Sequence, residues 1–341
     1  MTASLDPGAL AAVADAVRRS GEPVAGTMTA DLIAAGRSNL TYRLSDGVSR
    51  WVLRTPPRTG RTPTAHDVVR EHRITRALHG TAVPVPRPVA ACEDETVLGV
   101  PFAVWELVPG ATLQTSGDLD TVDDTAVGRI VDELVTVLAA LHAVDPEAIG
   151  LGGLARTGGY AERQLRRWSG QWELVGPPQW HTLAGEVTAG LREHLPQQVR
   201  TGVVHGDYRV DNTLVDLSRC RISAVVDWEL ATLGDPTADL AMMCAYRDPA
   251  FDLIVGEPAA WTSTRLPPPD ALAESYEAVA GVELHGWAQH LALAAFKIAV
   301  IAAGIAHRAR TGAASGPGFA TAAQAVGPYL HKARDHLRGR Q

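Results

Sequence analysis

The chain predicts an α+β fold in two lobes, a small β-rich N-lobe over residues 1–106 and a larger, mainly helical C-lobe over 107–341. Three observations carry this. Short runs of alternating apolar residues, separated by turn signals, fill the region from Leu40 to Val108. Beyond Ala111 the period lengthens to that of amphipathic helices, and Pro109-Gly110 marks the break. With 341 residues, 46% of them hydrophobic and 20% charged, the chain is long enough to build two cores.

Residues 8–19 read as an Ala-rich helix stopped by Ser20-Gly21-Glu22-Pro23. Leu40, Tyr42 and Leu44 alternate with polar neighbours, Asp46-Gly47 supplies a turn, and Trp51, Val52 and Leu53 form the returning strand. From 64 to 79 the spacing predicts a helix with Thr64 as N-cap and Val68, Ile74 and Leu78 on one face, which Glu71 shares. A Pro-punctuated stretch, 83–88, leads to a second strand pair ending in the apolar run 101–108. Helices are expected near 125–143, 158–174 and 182–194, then a compact strand-loop-strand unit over 202–227, and further helices to the end. The small-residue stretch 312–320 reads as a loop.

Composition excludes several classes of partner. The balance of 31 Lys plus Arg against 38 Asp plus Glu leaves a net charge of -7, so no basic field favours nucleic acid. Cys92, Cys220 and Cys244 are unpaired in spacing and offer no thiolate metal site, which suits a reducing, cytoplasmic setting. No export signal is visible at the start, and the apolar run 291–306, which contains Lys297 and ends in His307-Arg308-Ala309-Arg310, reads as too short and too charged to span a bilayer and better as a buried helix. Neither a Gly-x-Ser-x-Gly elbow nor a His-Glu-x-x-His helix occurs, which argues against hydrolase and zinc-protease chemistry.

The sharpest signal is Val203-Val204-His205-Gly206-Asp207-Tyr208-Arg209-Val210-Asp211-Asn212, followed by an apolar strand that closes on Asp227-Trp228-Glu229. Phosphoryl transfer needs a carboxylate that accepts the proton of the acceptor hydroxyl, and an amide oxygen and second carboxylate to hold a divalent cation against the phosphates. Asp207, Asn212 five residues on, and Asp227 fifteen beyond that supply the three in order. Singly, each reads as a cap or turn residue; the joint spacing selects catalysis. His205 is read as a loop-bracing residue that hydrogen-bonds backbone, because Asp207 already fills the base role.

These segments, with Gly36-Arg37-Ser38-Asn39, Trp51-Val52-Leu53-Arg54, Glu71, Trp105-Glu106 and Asp235-Pro236 to Asp239, resemble the aminoglycoside phosphotransferase and choline kinase superfamily, whose fold is protein-kinase-like. Within it the chain most resembles the phosphotransferase domain attached to some acyl-CoA dehydrogenases and its free-standing bacterial relatives. The resemblance implies that Gly36, Ser38 and Asn39 cover the nucleotide phosphates. It implies that Arg54, in place of the usual lysine, bridges phosphates and pairs with Glu71, and that Glu106 to Val108 forms the adenine hinge. Asn212 and Asp227 would hold Mg2+, ATP or GTP would be the donor, and Asp239 would brace the catalytic loop.

The loop lacks the arginine that protein kinases place before this Asp, Asp-Trp-Glu stands where they carry Asp-Phe-Gly, and no Ala-Pro-Glu follows, so a small-molecule acceptor is expected. For that acceptor the candidates are Arg163, Arg167, Trp168 and Trp172, with Arg166 beside them, a set suited to an anion such as a hydroxyacyl-CoA. Core packing of the Trp pair and a solvated arginine face is the alternative. The acidic stretch 118–124 would favour a cationic, aminoglycoside-type acceptor, and the Arg54 replacement leaves open a catalytically silent nucleotide-binding protein. The oligomeric state is left open.

Overall fold

The structure, a computed structural model, describes residues 5–35, 39–57, 67–312, 316 and 318–339. Gly36 and Ser38, and Thr64 as the expected cap, lie outside the described residues, as do parts of the 312–320 stretch.

Helix α1 (Pro7–Arg19), capped by Asp6, packs its Val13 and Val17 face on the N-lobe sheet. Strands β1 (Thr29–Ala35), β2 (Leu40–Ser45) and β3 (Arg50–Thr55) form an antiparallel meander, and β4 (Pro88–Cys92) and β5 (Phe102–Glu106) complete a sheet of order β1-β2-β3-β5-β4. Strand β1 is an addition to the sequence reading; its edge position and exposed Leu32 and Ile33 blur the alternation that marks β2. Asp46 sets the β2–β3 turn by accepting from Val48 N at 2.9 Å and Ser49 N at 2.6 Å.

Helix α2 (Val68–Leu78) begins three residues later than Thr64 as N-cap would have placed it, because Asp67 caps it by accepting from Arg70 N at 2.8 Å. Its buried face, Val68, Glu71, Ile74, Thr75 and Leu78, docks on β5, where Trp105 Nε1 donates to Thr75 Oγ1 at 2.8 Å. A short α3 (Glu95–Leu98) precedes β5.

The passage to the C-lobe is pinned by reciprocal backbone bonds between Ala111 and Val215, each 2.9 Å. Short α4 (Ser116–Asp120) and long α5 (Asp124–Ala143) follow, then α6 (Tyr160–Val175) and α7 (His181–Glu193). The chain next lays down two small ribbons, β6 (Gly202–Val204) with β9 (Thr232–Gly234), and β7 (Thr213–Asp216) with β8 (Arg221–Val225). Helices α8 (Pro236–Ala245), α9 (Asp252–Val255), α10 (Pro269–Ala280), α11 (Trp287–Arg310) and α12 (Ala322–Arg338) complete the lobe. The apolar run 291–306 lies inside α11, which at 24 residues is long and apolar enough to cross a bilayer, yet 89% of its most apolar window is buried among protein. It is the core helix of the C-lobe, packed by α6, α8 and α12.

Candidate active site

The two ribbons present their loops at one place. Between β6 and β7 runs the loop holding His205, Asp207 and Asn212, and Asp227 follows β8. Backbone pairing of Val226 N with Asn212 O, at 2.9 Å, sets Asn212 beside the Asp227 turn.

Gly206 has φ +84°, and a Cβ there would lie 3.1 Å from both the Cβ and the carbonyl oxygen of Leu230, so glycine is required twice over. Asp239, buried on the first turn of α8, accepts from His205 N at 2.6 Å and Gly206 N at 2.7 Å. His142 stands 3.3 Å from the same carboxylate and reaches Tyr276 Oη at 2.7 Å. Burial works to raise the Asp239 pKa, but these donors prevail and hold it below the ordinary carboxylate value. The ring of His205 has Val226 O at 3.0 Å from Nε2 and receives Asp207 N–H at Nδ1, 3.3 Å, which assigns the neutral tautomer protonated on Nε2. Both of its nitrogens are thereby engaged with backbone.

Asp207 is surrounded by donors. Arg209 forks onto it, Nε to Oδ1 at 3.2 Å and Nη2 to Oδ2 at 3.0 Å, and Asn212 Nδ2 donates to Oδ2 at 3.0 Å and to the Asp207 carbonyl at 2.8 Å. Burial pushes its pKa up, but the Arg209 charge and hydrogen bonds from Arg209 and Tyr246 outweigh that and leave it lowered. Arg209 is itself clamped, ion-paired to Asp211 at 2.9 Å and lying over the rings of Tyr246 and Phe251 at 4.7 and 4.8 Å.

Across the cleft Arg54 on β3 pairs with Glu71 and donates from Nη2 to Asp227 Oδ1 at 3.1 Å, bridging 173 positions of sequence. Desolvation disfavours the Arg54 charge, yet Glu71 and Asp227 hold its pKa above the ordinary value. Burial raises Glu71, partly offset by Arg54 and by a backbone N–H from Trp228 at 3.3 Å. Asp227 takes φ +64°, a left-handed conformation seldom adopted outside glycine, which a dense set of contacts must sustain. Arg70 contributes by donating to the carbonyls of Glu229 and Ala231 just beyond it.

Asn39, just before β2, is buried with neither amide atom hydrogen-bonded among the described residues. Glu106 ends β5 with its carboxylate on Arg87 at 2.8 Å, and the Val108 N–H has no protein acceptor among the described residues. With its Nδ2 committed to Asp207, Asn212 has Oδ1 left to pair with Asp227 as a set of hard oxygen donors. Such a set suits Mg2+, which commonly takes one or two protein ligands plus phosphate oxygens and water.

The acceptor candidates divide. Trp172 is buried against Phe296, ring centroids 6.4 Å apart, and belongs to the C-lobe core; it is no wall of an open cleft. Arg163 bends back to the carbonyls of Arg156 and Gly158, and Arg166 pairs with Glu162 at 2.5 Å on the exposed face. The three arginines do not converge: positions 163, 166 and 167 share one face of the helix, but each guanidinium is drawn to a different group, Arg167 to the Trp168 ring. Trp168 and Arg167 remain, the guanidinium 5.1 Å from the indole centroid. The acidic stretch is spent locally. Asp118 closes the capping box of α4 by accepting from Thr115 N, Asp123 caps α5, and Asp124 binds Arg265 at 2.6 Å.

Sequence reasoning missed Arg209 and Lys297. The first stands inside the loop two residues after Asp207; the second, the only charge within the apolar stretch 291–306, donates from Nζ to the carbonyl of Gly206 at 3.3 Å. A lone lysine in so apolar a run was itself the available signal.

Comparison with known proteins decides the family: the profile of the phosphotransferase enzyme family matches residues 29–274. The chain belongs to that family. Acyl-CoA dehydrogenase family member 10 of Mus musculus is 33% identical over 284 residues, covering 82% of this chain. The chain spans 26% of that relative's length. A Ralstonia eutropha crystal structure, provisionally named an aminoglycoside phosphotransferase, is 32% identical with a TM-score of 0.83, covering 96% of this chain and 98% of that one. Aminoglycoside phosphotransferase APH(4)-Ia, solved with AMP-PNP and hygromycin B, is 16% identical with a TM-score of 0.59 over 91% of this chain and 93% of its own, a likeness of fold. The fold of this phosphotransferase-family chain is accordingly protein-kinase-like, with a β-sheet N-terminal part and a helical C-terminal part.

Proposed function

We propose that this family member is a kinase that moves the γ-phosphoryl group of ATP to a hydroxyl of a small molecule, with a hydroxyacyl-CoA or related anionic metabolite as acceptor. The observation that carries the reading is the meeting of Arg54, Glu71 and Asp227 in one ion-paired set, beside a loop in which Asn212 is tied to Asp207.

In this reading Asn39, Arg54 and the Glu106 to Val108 backbone hold the nucleotide, Arg54 taking phosphate oxygens with its planar fork. Magnesium, held by Asn212 and Asp227, would neutralise charge on the phosphates. Asp207 orients the acceptor hydroxyl toward the γ-phosphorus and takes its proton as the new P–O bond forms and the bond to ADP breaks. A carboxylate kept ionised by Arg209 suits that role, since a loose phosphoryl-transfer transition state asks more for alignment than for strong base. The local use of the acids in 118–124 in caps and an ion pair, and Arg167 on α6, favour an anionic acceptor over an aminoglycoside.

Incubation with Mg-ATP and a panel of hydroxyacyl-CoAs, amino alcohols and aminoglycosides, read by mass spectrometry, tests this. A gain of one phosphoryl on a hydroxyacyl-CoA supports the reading. A gain confined to aminoglycosides overturns the acceptor, and nucleotide binding with no gain anywhere overturns the kinase.

A further inference from the structure

Lys297 is an anomaly that the phosphoryl-transfer chemistry leaves unused. It sits on α11 with 7% of its surface exposed, and its one hydrogen bond is to the neutral carbonyl of Gly206. An ammonium carries three donors, and burial with two of them unmatched is costly unless something else receives them. No carboxylate lies within ion-pairing distance among the described residues. The two acids near enough to act on it, Asp207 and Asp239, are already satisfied, by Arg209 with Asn212 and by the loop amides with His142.

Its other neighbours come from α6. Nζ lies 5.7 Å from the Trp168 ring centroid, and Trp168 is held by Nε1 donating to Gln164 Oε1 at 3.0 Å. Arg167 lies 5.1 Å from the same ring, has no carboxylate partner among the described residues, and stands close enough to oppose the Lys297 charge. Burial and Arg167 both weaken the hold of Lys297 on its proton, although Asp207 and Asp239 strengthen it. Two cations on one indole, neither ion-paired to a carboxylate among the described residues, adjoin the residue before Asp207 in a chain whose net charge is -7.

We propose that Lys297, Trp168 and Arg167 form an anion subsite on the acceptor side of Asp207, reading a carboxylate or phosphate oxygen of the molecule to be phosphorylated. The proposal rests on the kinase reading for its orientation toward Asp207. It assigns Lys297 as the binding residue that the sequence left out and gives Trp168 a role in orienting cations. It also excludes polycationic acceptors, which would meet like charge at this corner.

Calorimetric titration of the full chain, with a non-hydrolysable ATP analogue and Mg2+ present, tests it with 3-hydroxybutyrate, 3-hydroxybutyryl-CoA and the neutral 3-hydroxybutyramide. The carboxylate and the CoA ester are expected to bind about tenfold or more tightly relative to the amide. Preference for the free acid alone identifies a carboxylate subsite, and preference for the ester alone a phosphate subsite. Lys297→Met should erase the preference while nucleotide affinity stays unchanged, and Lys297→Arg should restore most of it. Because Lys297 is buried, Arg167→Gln, an exposed change, serves as the second variant and should weaken the preference about threefold. Equal binding of charged and neutral probes by the wild type, or a preference that survives in both Lys297→Met and Arg167→Gln, overturns the subsite. If the preference is lost as expected but the wild type phosphorylates nothing, the kinase reading fails and the anion subsite stands.

Discussion

Two regions adjoin Asp207, and they differ in how tightly their residues are tied to one another. The loop from His205 to Asn212, with Asp227, is a lattice of mutual bonds in which each side chain holds a neighbour: Asp239 the backbone, Arg209 and Asn212 the carboxylate, Arg54 the partner carboxylate. Helix α6 is an amphipathic helix whose buried face serves the core and whose exposed face is mostly solvated, with Trp168 and Arg167 alone turned to Lys297. The lesson is that chemistry confined to a short, over-determined loop leaves a fixed spacing in sequence, whereas recognition by a helix face leaves only residue types.

The largest test of the contrast is Asp227→Ala. It removes the partner of Arg54 and the carboxylate proposed to hold the metal, and should lower phosphoryl transfer by about a thousandfold in steady-state assays. Trp172→Ala is next and belongs to the other region. As a core residue it should cost about 3–5 kcal/mol in denaturant unfolding, while Trp168→Ala should spare most stability and raise the acceptor KM. A change in KM from Trp172 comparable to that from Trp168 would return it to the acceptor wall. Gly206→Ala, forced into positive φ against Leu230, should destabilise by about 1–3 kcal/mol and lower kcat with little effect on nucleotide affinity.

The way these residues could be read from sequence follows the same division. The strand meander, α2 and the helices near 125–143 and 182–194 declared themselves through period, although the cap of α2 is Asp67 and not Thr64, and Glu71 fell on the buried face that the helical phase requires. Strand β1, at a sheet edge with apolar residues exposed, had no alternation to betray it. Asp207, Asn212 and Asp227 were legible because the proposed reaction calls for all three residue types at a fixed spacing. Lys297 stood out as the lone charge of its apolar run, but its neighbours were not legible, because Gly206 and Trp168 are distant in sequence and only the folded chain brings them together.

Smaller effects sharpen the picture further. Asp207 and Asp239 both have lowered pKa values in the folded protein, so the stability they contribute is fully present above the unfolded carboxylate value of 3.8. It is lost as pH falls through their folded values, and acid unfolding followed by circular dichroism should show a limb below that point. Asp239→Asn should flatten that limb. Arg166→Gln, paired only with Glu162 on the exposed face, should leave both the melting temperature and the acceptor KM unchanged.

The most direct test of the central claim is single-turnover phosphoryl transfer by Asp207→Asn, with nucleotide affinity measured on the same preparation. A fall of about a thousandfold in transfer at unchanged ATP affinity is the predicted result. Near-normal transfer would contradict the assignment of Asp207 as the group that receives the acceptor's proton.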